Sequence, residues 1–354
     1  MAVKEMNSRQ RVKALLDGRL PDRPPHFDLI RNDAVIAHFA SETLTVENAQ
    51  RVVFKAVNLA VDATRPAIRL PDHERVETLP DGRKQHVFRW TAWTERPQTT
   101  PEQYARQVTE WIEANRRWTD QDEANVAQHV ATHRDLEARL PDVYLFWSSP
   151  GGPGLHALCH GIGLEQFSFF LADYPGLVSE YLESSTERAI RYVKGVRDLT
   201  PVGVYMLGED IAFKTATMFS PAFLRREFLS RLGRIVAAMH DGGTKVMFHS
   251  DGNLMAILDD LVATRIDLLN PIEVMAGMDI AEIHRRVPKL ILVGGIDVSE
   301  LLPRGTPEQI RAAVHKAIAD SEGRIMPGSS TELQYVVPLE NYLAMREAIH
   351  GIRY

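Results

Sequence analysis

The sequence predicts an α/β fold in which eight parallel strands alternate with helices and close into a (β/α)₈ TIM barrel. Two observations support this prediction. Short apolar runs recur along the chain, and each is followed by a stretch with helical spacing of its apolar residues, which is typical of βα units around a parallel sheet. Polar residues collect directly after these runs, where barrel enzymes carry their chemistry.

The candidate strands are apolar runs of five to seven residues. They are 26–30, 64–70, 143–149, 203–208, 244–249, 266–270, 290–296 and 324–329. Two of the helices between them have clear start signals. Ser220-Pro221 supplies an N-cap and a proline at the first helical position, and the residues 306–309 (TPEQ) have the pattern of a capping box.

One stretch, approximately 73–140, breaks the alternation between the second and third strands. Asp81-Gly82, flanked by strand-like residues, predicts a hairpin, and two polar helices are expected to follow it. Because no linker, repeat or low-complexity segment divides the chain, we expect one domain over 1–354 with this insertion on the barrel rim.

The second polar helix of the insertion carries His129 and His133, four residues apart. This spacing could provide two ligands for a metal. Acidic residues surround the pair in the sequence, so a solvated helix face is the favoured interpretation.

Composition limits the possible partners. The chain has 354 residues, a net charge of −6 and one cysteine. A single cysteine excludes an intramolecular disulfide and a zinc site built from several thiolates, and it fits a reducing compartment. The mild acidity argues against nucleic acid and membrane surfaces as partners. With no signal-peptide pattern and no apolar segment of spanning length, we expect a cytoplasmic protein that acts on a small molecule.

The segment KVMFHSDGN is the most informative. His249 and Asp251 are two residues apart at the end of a strand, so both side chains can point to the same side. Glu209 and Asp210 end the preceding strand. Convergent imidazole and carboxylate groups can bind a divalent metal or perform acid/base catalysis. A turn and helix cap beside a structural histidine would explain the same residues, and both interpretations stay open.

Further candidates follow other strands. Arg69 comes after the second strand, Asn270 after the sixth and Ser329 after the eighth. Gly152 belongs to the loop SSPGGPG, which could form a backbone nest for an anion, although a tight strand-to-helix turn explains it equally well. His156 follows this loop and could reach the pocket, while core packing is the simpler expectation.

Several segments, taken in order, resemble the uroporphyrinogen decarboxylase superfamily over nearly the whole chain. They are RQRVKALLDGRLPDRPP, GEDIAFKTATMFSPAFLRREFLSRLGRIV, FHSDGN, GGID and PGSS…VPLENYLAM. The resemblance implies a (β/α)₈ barrel with its ligand cleft at the carboxyl ends of the strands. The decarboxylase itself is disfavoured. HFDLIRND stands where its arginine-rich motif is expected, Arg69 falls at or near the place of an aspartate that meets pyrrole N–H groups, and Gly328-Ser329 replaces a Gly-His pair.

Another branch of the superfamily comprises methyltransferases that work with corrinoid proteins. Their zinc ligands are a His-x-Cys pair after strand five and a cysteine after strand eight. His249-Ser250-Asp251 is similar to this pair with a carboxylate in place of the thiolate, and Ser329 or Ser330 takes the late position. The resemblance implies that His249, Asp251 and Glu209 bind Zn²⁺ weakly, bind another divalent ion, or work without metal as an acid/base pair.

We therefore predict a methyltransferase-like enzyme, of O-demethylase type, that moves a methyl group between a small methyl ether or amine and a separate corrinoid protein. The predicted catalytic residues are His249, Asp251 and Glu209. The predicted substrate-binding residues are Arg69, Ser329, Asp210, Gly152, His156 and Asn270. The resemblance also implies a homodimer. Two alternatives remain: a decarboxylase or lyase in which Arg69 or Arg31 binds a small carboxylate, and a non-catalytic tetrapyrrole or corrinoid binder.

Overall fold

The barrel is present in the computed structural model, which describes residues 5–97 and 99–354. The described residues contain eleven short strands, which form the barrel wall and the small sheet of the insertion. They are β1 (Ala63–Thr64), β2 (Arg75–Thr78), β3 (Lys84–Val87), β4 (Ala92–Thr94), β5 (Tyr144–Leu145), β6 (Trp147–Ser148), β7 (Val204–Gly208), β8 (Lys245–His249), β9 (Leu268–Asn270), β10 (Ile291–Ile296) and β11 (Ile325–Ser329). Parallel pairing runs in order from β6 to β11, and β1 pairs in parallel with β5.

Residues 26–30 lie between β11 and β1 and close the barrel. The Phe27 N–H donates to the carbonyl of Pro327 in β11 at 3.1 Å, and the Asp28 N–H donates to the carbonyl of Ala63 in β1 at 3.2 Å. Each predicted strand thus contributes to one of the eight wall positions, which confirms the predicted fold class.

The second strand is shorter than predicted. It ends at Thr64 rather than continuing to residue 70, and Pro66 gives the reason, since proline cannot donate to a sheet ladder. Arg65 therefore lies at the carboxyl end of the strand, where barrel sites form. Arg69 lies further along an irregular segment and is exposed.

Alternate residues of the wall point into the barrel, and they are apolar at mid-height. Phe27, Phe146, Met247, Leu268 and Met326 belong to one interior cluster. The helix α1 (Ser8–Leu16) contributes Val12 and Leu15 to this same cluster. The interior is therefore packed at mid-height, and polar groups line the end formed by the carboxyl termini of the strands.

The other helices surround the wall or belong to the insertion. They are α2 (Asp33–Ala40), α3 (Ala49–Ala60), α4 (Pro101–Arg116), α5 (Asp120–Arg139), α6 (Leu155–Ile162), α7 (Leu164–Asp173), α8 (Pro175–Leu199), α9 (Pro221–Phe223), α10 (Ser230–His240), α11 (Leu258–Ala263), α12 (Ile280–Arg286), α13 (Leu301–Arg304), α14 (Pro307–Asp320) and α15 (Leu339–Gly351). Among the described residues, none of these helices has the length and apolar character needed to cross a bilayer.

Both predicted helix starts are present. The Ser220 side chain accepts from the Phe223 N–H, with Pro221 at the first helical position, and Thr306 and Gln309 form the reciprocal capping box of α14. The segment after Ser220 is less regular than its spacing suggests, because a π-helical stretch, Leu224–Leu229, separates α9 from α10.

The insertion consists of the hairpin and the two helices that the sequence predicts. The strands β2, β3 and β4 form an antiparallel sheet, and Gly82 in its first turn has a φ of 84°, which glycine adopts without strain. The helices α4 and α5 pack against α8.

The expectation of a solvated face around His133 is wrong. Its ring is buried and stacks on Trp147, with 4.6 Å between ring centroids. The Ser148 N–H donates to His133 Nε2 at 3.1 Å, and Nδ1 lies 2.9 Å from the His129 carbonyl. Because both ring nitrogens have partners, this histidine fastens α5 to the barrel wall.

Candidate functional site

His249 occupies the inner side of the barrel wall at the end of β8. It follows Met247 by two residues, so the two side chains share the inward face of the strand. Its Nε2 lies 3.9 Å from Asp251 Oδ1 and 4.0 Å from Asp210 Oδ1. One ligand atom from each of these three residues falls within 4.8 Å of the others.

Asn270, at the end of the neighbouring strand β9, orients the imidazole of His249. His249 Nδ1 lies 2.7 Å from Asn270 Oδ1, while Asn270 Nδ2 donates to the Val293 carbonyl at 3.3 Å. The amide is thus oriented with its oxygen toward the ring, so Nδ1 carries the hydrogen and Nε2 presents its lone pair to the carboxylates. Burial, with the nearby Arg65 guanidinium, lowers the pKa of His249 and favours this neutral form.

Asp251 has an unused acceptor. Its Oδ1 is buried and has no hydrogen-bond partner among the described residues. Burial, together with the neighbouring carboxylate of Asp210, raises the pKa of Asp251 to about 6. Glu273 also lies close, accepting from the Gly252 N–H at 2.7 Å, and burial raises its pKa. A cation or a proton at this point would relieve the repulsion between the carboxylates.

The donor set fits a divalent metal ion. Two ligand atoms that are each about 2.1 Å from one metal lie no more than about 4.2 Å apart, and both distances from His249 Nε2 satisfy this limit. An imidazole whose other nitrogen is held by an amide, beside two carboxylates, resembles catalytic sites in which three protein ligands leave a position open. Two oxygens and one nitrogen also suit harder ions than a thiolate-rich set would.

Glu209 lies apart from this cluster, although it adjoins Asp210 in sequence. Its carboxylate is buried and accepts from the backbone N–H groups of Gly154 at 2.6 Å and His156 at 2.8 Å. Burial raises the pKa of Glu209, while these two N–H groups partly offset the effect. Glu209 therefore fixes the loop that begins α6.

The glycine-rich loop is the nest that its composition suggested, and Glu209 is its anion. A Cβ atom on Gly152 would lie 2.7 Å from Glu209 Oε1, so only glycine fits this close approach. Gly154 has a φ of 91° at the N-cap of α6. The N–H groups of Gly154 and His156 therefore already have an acceptor within the protein.

Of two further predicted residues, His156 lies near the cluster of Asp210, His249 and Asp251, and Ser329 is engaged elsewhere. His156 Nδ1 lies 3.8 Å from Asp210 Oδ2, and its ring lies beside that of His160. Ser329 is buried, and its hydroxyl donates to Asp28 Oδ1 at 2.6 Å. The structure thus brings His156 to the edge of the cluster and uses Ser329 to join the first and last strands.

Sequence reasoning missed two charged residues at the same end of the barrel. Arg65 Nη2 donates to Glu332 Oε2 at 3.1 Å, and Arg31 also donates to Glu332. The sequence Arg65-Pro66 was an available signal, because the proline ends the strand. Glu332 follows β11 by three residues, and no local pattern marks it. The exposed Arg69 contacts neither this carboxylate nor the cluster of Asp210, His249 and Asp251 through any described hydrogen bond.

The fold and this site define a parallel (β/α)₈ barrel with a metal-competent imidazole and carboxylate cluster at its catalytic end. Comparison with known families then gives the relationship. The profile of the uroporphyrinogen decarboxylase (URO-D) family matches residues 102–352, and the chain belongs to this family.

Two solved structures resemble this chain to different extents. A methyltransferase from Methanosarcina mazei matches with a TM-score of 0.66 at 16% identity, covering 98% of this chain and 99% of that one. A putative vitamin-B12 independent methionine synthase from Listeria monocytogenes matches with a TM-score of 0.40 at 11% identity, covering 64% and 67% of the two chains. Comparison with curated protein sequences gives no match.

Proposed function

We propose that the protein transfers a methyl group from a small methyl ether or methylamine to a separate corrinoid protein. The observation that carries this proposal is the convergence of His249 Nε2 with the carboxylates of Asp210 and Asp251 at the catalytic end of the barrel. The shared fold with a methyltransferase over nearly the full length of both chains supports it.

Breaking a bond between a methyl carbon and oxygen requires that the departing oxygen not carry a full negative charge. A bound divalent ion would supply Lewis-acid stabilisation of that oxygen. His249, Asp210 and Asp251 would hold the ion, and Asn270 would keep Nε2 directed toward it. In this assignment Asp210 takes the role that the sequence suggested for Glu209.

The same residues can act without a metal. Because the pKa of Asp251 is raised to about 6, its carboxyl group can hold a proton near neutral pH better than an ordinary aspartate. The proton would pass from Asp251 to the leaving oxygen as the carbon–oxygen bond breaks, and the methyl group would pass to the acceptor. Neutral His249 would accept a hydrogen bond from the protonated carboxyl group or the product.

The rim offers contacts for a partner protein. Phe213, Met275 and Tyr335 are 47%, 51% and 72% exposed, and they lie in the loops after β7, β9 and β11. Asn253 connects two of these loops, because its N–H donates to the Phe213 carbonyl and its Nδ2 donates to the Ala276 carbonyl. Exposed apolar side chains around a site entrance are typical of protein-binding surfaces.

The test joins metal content with activity. Protein purified without chelator would be analysed for metals, then assayed with methyl ethers and methylamines for loss of the cob(I)alamin absorption. We expect a stoichiometric divalent ion that is lost in His249→Ala together with methyl transfer. His315→Ala, which removes an exposed imidazole from α14, is the matched control.

Three results would contradict the proposal. Carbon dioxide release from a bound acid without methyl transfer would identify the protein as a decarboxylase. Tight corrinoid binding without turnover, unchanged in His249→Ala, would identify the protein as a corrinoid-binding protein that is not an enzyme. Full methyl transfer by His249→Ala would show that this site takes no part in the reaction. The mass of the purified protein in solution would test the homodimer that accompanies the proposal.

A further inference from the structure

A partly buried ionic group of Arg65, Arg31 and Glu332 lies near the metal-competent cluster. Glu332 accepts from one terminal nitrogen of Arg65 and from one of Arg31. The loop that carries Glu332 is fixed against the first strand position, since the Arg31 N–H donates to the Leu333 carbonyl and the Leu333 N–H donates to the Leu29 carbonyl, both at 2.9 Å. Two guanidinium groups thus share one hydrogen-bonded carboxylate.

The two guanidinium groups retain unused donors. Arg65 is 7% exposed, and the Nε atoms of both Arg31 and Arg65 are buried without a hydrogen-bond partner among the described residues. A charged donor that is buried and unpaired costs more free energy than an ordinary unmade hydrogen bond. Burial lowers the pKa of Arg31, and the adjacent Arg65 and Arg69 lower it further. An added anion would relieve both costs.

This group and the His249 cluster lie close enough for their charges to act on one another. The charges of Glu332, Asp251 and Asp210 all act on Arg65, whose pKa burial lowers and these acids raise. In the other direction, Arg65 and Glu332 both act on His249. A small molecule bound to the guanidinium groups would therefore have its other end beside His249 and Asp251.

We propose that Arg65 and Arg31 bind a carboxylate of the methyl donor, with Glu332 holding the two guanidinium groups in place. This inference rests on the proposed methyl transfer and specifies its substrate as a small methoxy or methylamino carboxylic acid. A planar guanidinium matches a carboxylate through two parallel hydrogen bonds, and its charge strengthens both. The donor would be oriented with its methyl-bearing atom toward the cluster and its carboxylate toward Arg65.

Binding can be measured without turnover by titrating the protein with methoxyacetate in the absence of any corrinoid. The uncharged methoxyacetamide has nearly the same shape and serves as the comparison ligand. We expect methoxyacetate to bind more tightly, and Arg65→Met to weaken its binding about 10- to 100-fold, as loss of charge-assisted hydrogen bonds predicts. Binding of methoxyacetamide should change little.

Two variants separate this subsite from general effects of charge. Arg106→Met removes the same charge from the exposed surface of α4 and should leave methoxyacetate affinity unchanged. Arg65→Lys keeps the charge but loses the planar fork, and it should show an intermediate affinity. It also provides the test if Arg65→Met fails to fold.

The outcomes distinguish this inference from the proposed function. Equal affinity for the two ligands, or unchanged methoxyacetate binding in both Arg65 variants, would overturn the subsite even if neutral methyl ethers are demethylated. A loss confined to Arg69→Met would also overturn it in favour of the exposed arginine. Arg65-dependent binding of methoxyacetate without methyl transfer would support the subsite while contradicting the methyltransferase proposal.

Discussion

His249 Nδ1 lies 2.7 Å from the amide oxygen of Asn270, and this contact determines which imidazole nitrogen faces Asp210 and Asp251. The two residues end neighbouring strands, β8 and β9, in direct register. The orientation of the imidazole is therefore built into the barrel wall and does not depend on a mobile loop.

Replacing Asn270 with alanine should weaken metal binding about 10- to 100-fold, because partners of metal-bound histidines contribute effects of this size. The measurement is titration of the metal-free protein with Zn²⁺ and with Mn²⁺. Asn341→Ala is the control, since it removes another buried amide, on α15, that donates to the Leu302 and Gly305 carbonyls at the end of α13. Equal losses of metal affinity in both variants would contradict the orienting role.

Adjacent acids should respond differently to neutralisation. Asp210→Asn is expected to lose the metal while the fold remains intact, because its carboxylate belongs to the cluster. Glu209→Gln is expected to keep the metal but to lower the free energy of unfolding by about 1–3 kcal/mol, since an amide cannot accept from both N–H groups of the α6 loop. Metal analysis and thermal unfolding of both variants test this difference. Loss of metal in Glu209→Gln but not in Asp210→Asn would identify Glu209 as the ligand, as the sequence suggested.

Gly252 should not tolerate a side chain. It has a φ of 91°, and a Cβ atom there would lie 2.6 Å from the Phe213 carbonyl oxygen. We expect Gly252→Ala to destabilise the protein by at least the roughly 1–2 kcal/mol of a left-handed alanine, and to weaken metal binding by displacing Asp251. Thermal unfolding and metal titration would measure both effects. Gly176→Ala, in an open position of α8, should leave both quantities almost unchanged.

Asp62 should be the main source of acid sensitivity away from the site. It accepts from Arg23 Nη1 at 2.6 Å, from Arg11 Nη1 at 2.8 Å and from the His26 N–H at 2.9 Å. Burial alone would raise the pKa of Asp62, but these partners hold it well below its usual range. The stabilisation is therefore fully present above the unfolded pKa of about 3.9 and is lost as the pH falls below it.

Asp62→Asn should lower the free energy of unfolding at neutral pH by about 3–5 kcal/mol, because it leaves two buried guanidinium groups with too little negative charge. Its unfolding free energy should also vary less between pH 5 and pH 2 than that of the unchanged protein. Urea unfolding across this pH range provides the measurement. Asp81→Asn, which removes an exposed carboxylate of the hairpin, should keep the acid sensitivity, and the same loss in both variants would contradict the assignment to Asp62.

Local patterns were sufficient to predict the barrel and its insertion. Apolar runs, the hairpin signal at Asp81-Gly82 and the caps at Ser220 and Thr306 depend on neighbouring residues alone. Period-two alternation likewise predicted that His249, at the end of β8, and Asp251, two residues later, point to the same side. These parts of the structure were accessible because backbone geometry determines them.

The rest of the site depends on contacts between distant segments. Whether Glu209 or Asp210 faces the barrel axis depends on where the inward alternation of β7 falls, and the two adjacent acids gave no sign of it. Glu332 meets Arg65 across 267 positions of sequence. His133 looked solvated among acidic neighbours because its partner, Trp147, lies on a different element.

The packing of α1 against the barrel interior has a kinetic consequence. Val12 and Leu15 of α1 pack into the barrel interior. In the proposed reaction, the small donor and the protein acceptor would therefore both use the entrance at the carboxyl ends of the strands. A docked protein would cover that entrance, so the small molecule must enter before docking and its product must leave after separation. The reaction would therefore proceed by compulsory order, with excess acceptor protein inhibiting turnover by blocking the free enzyme.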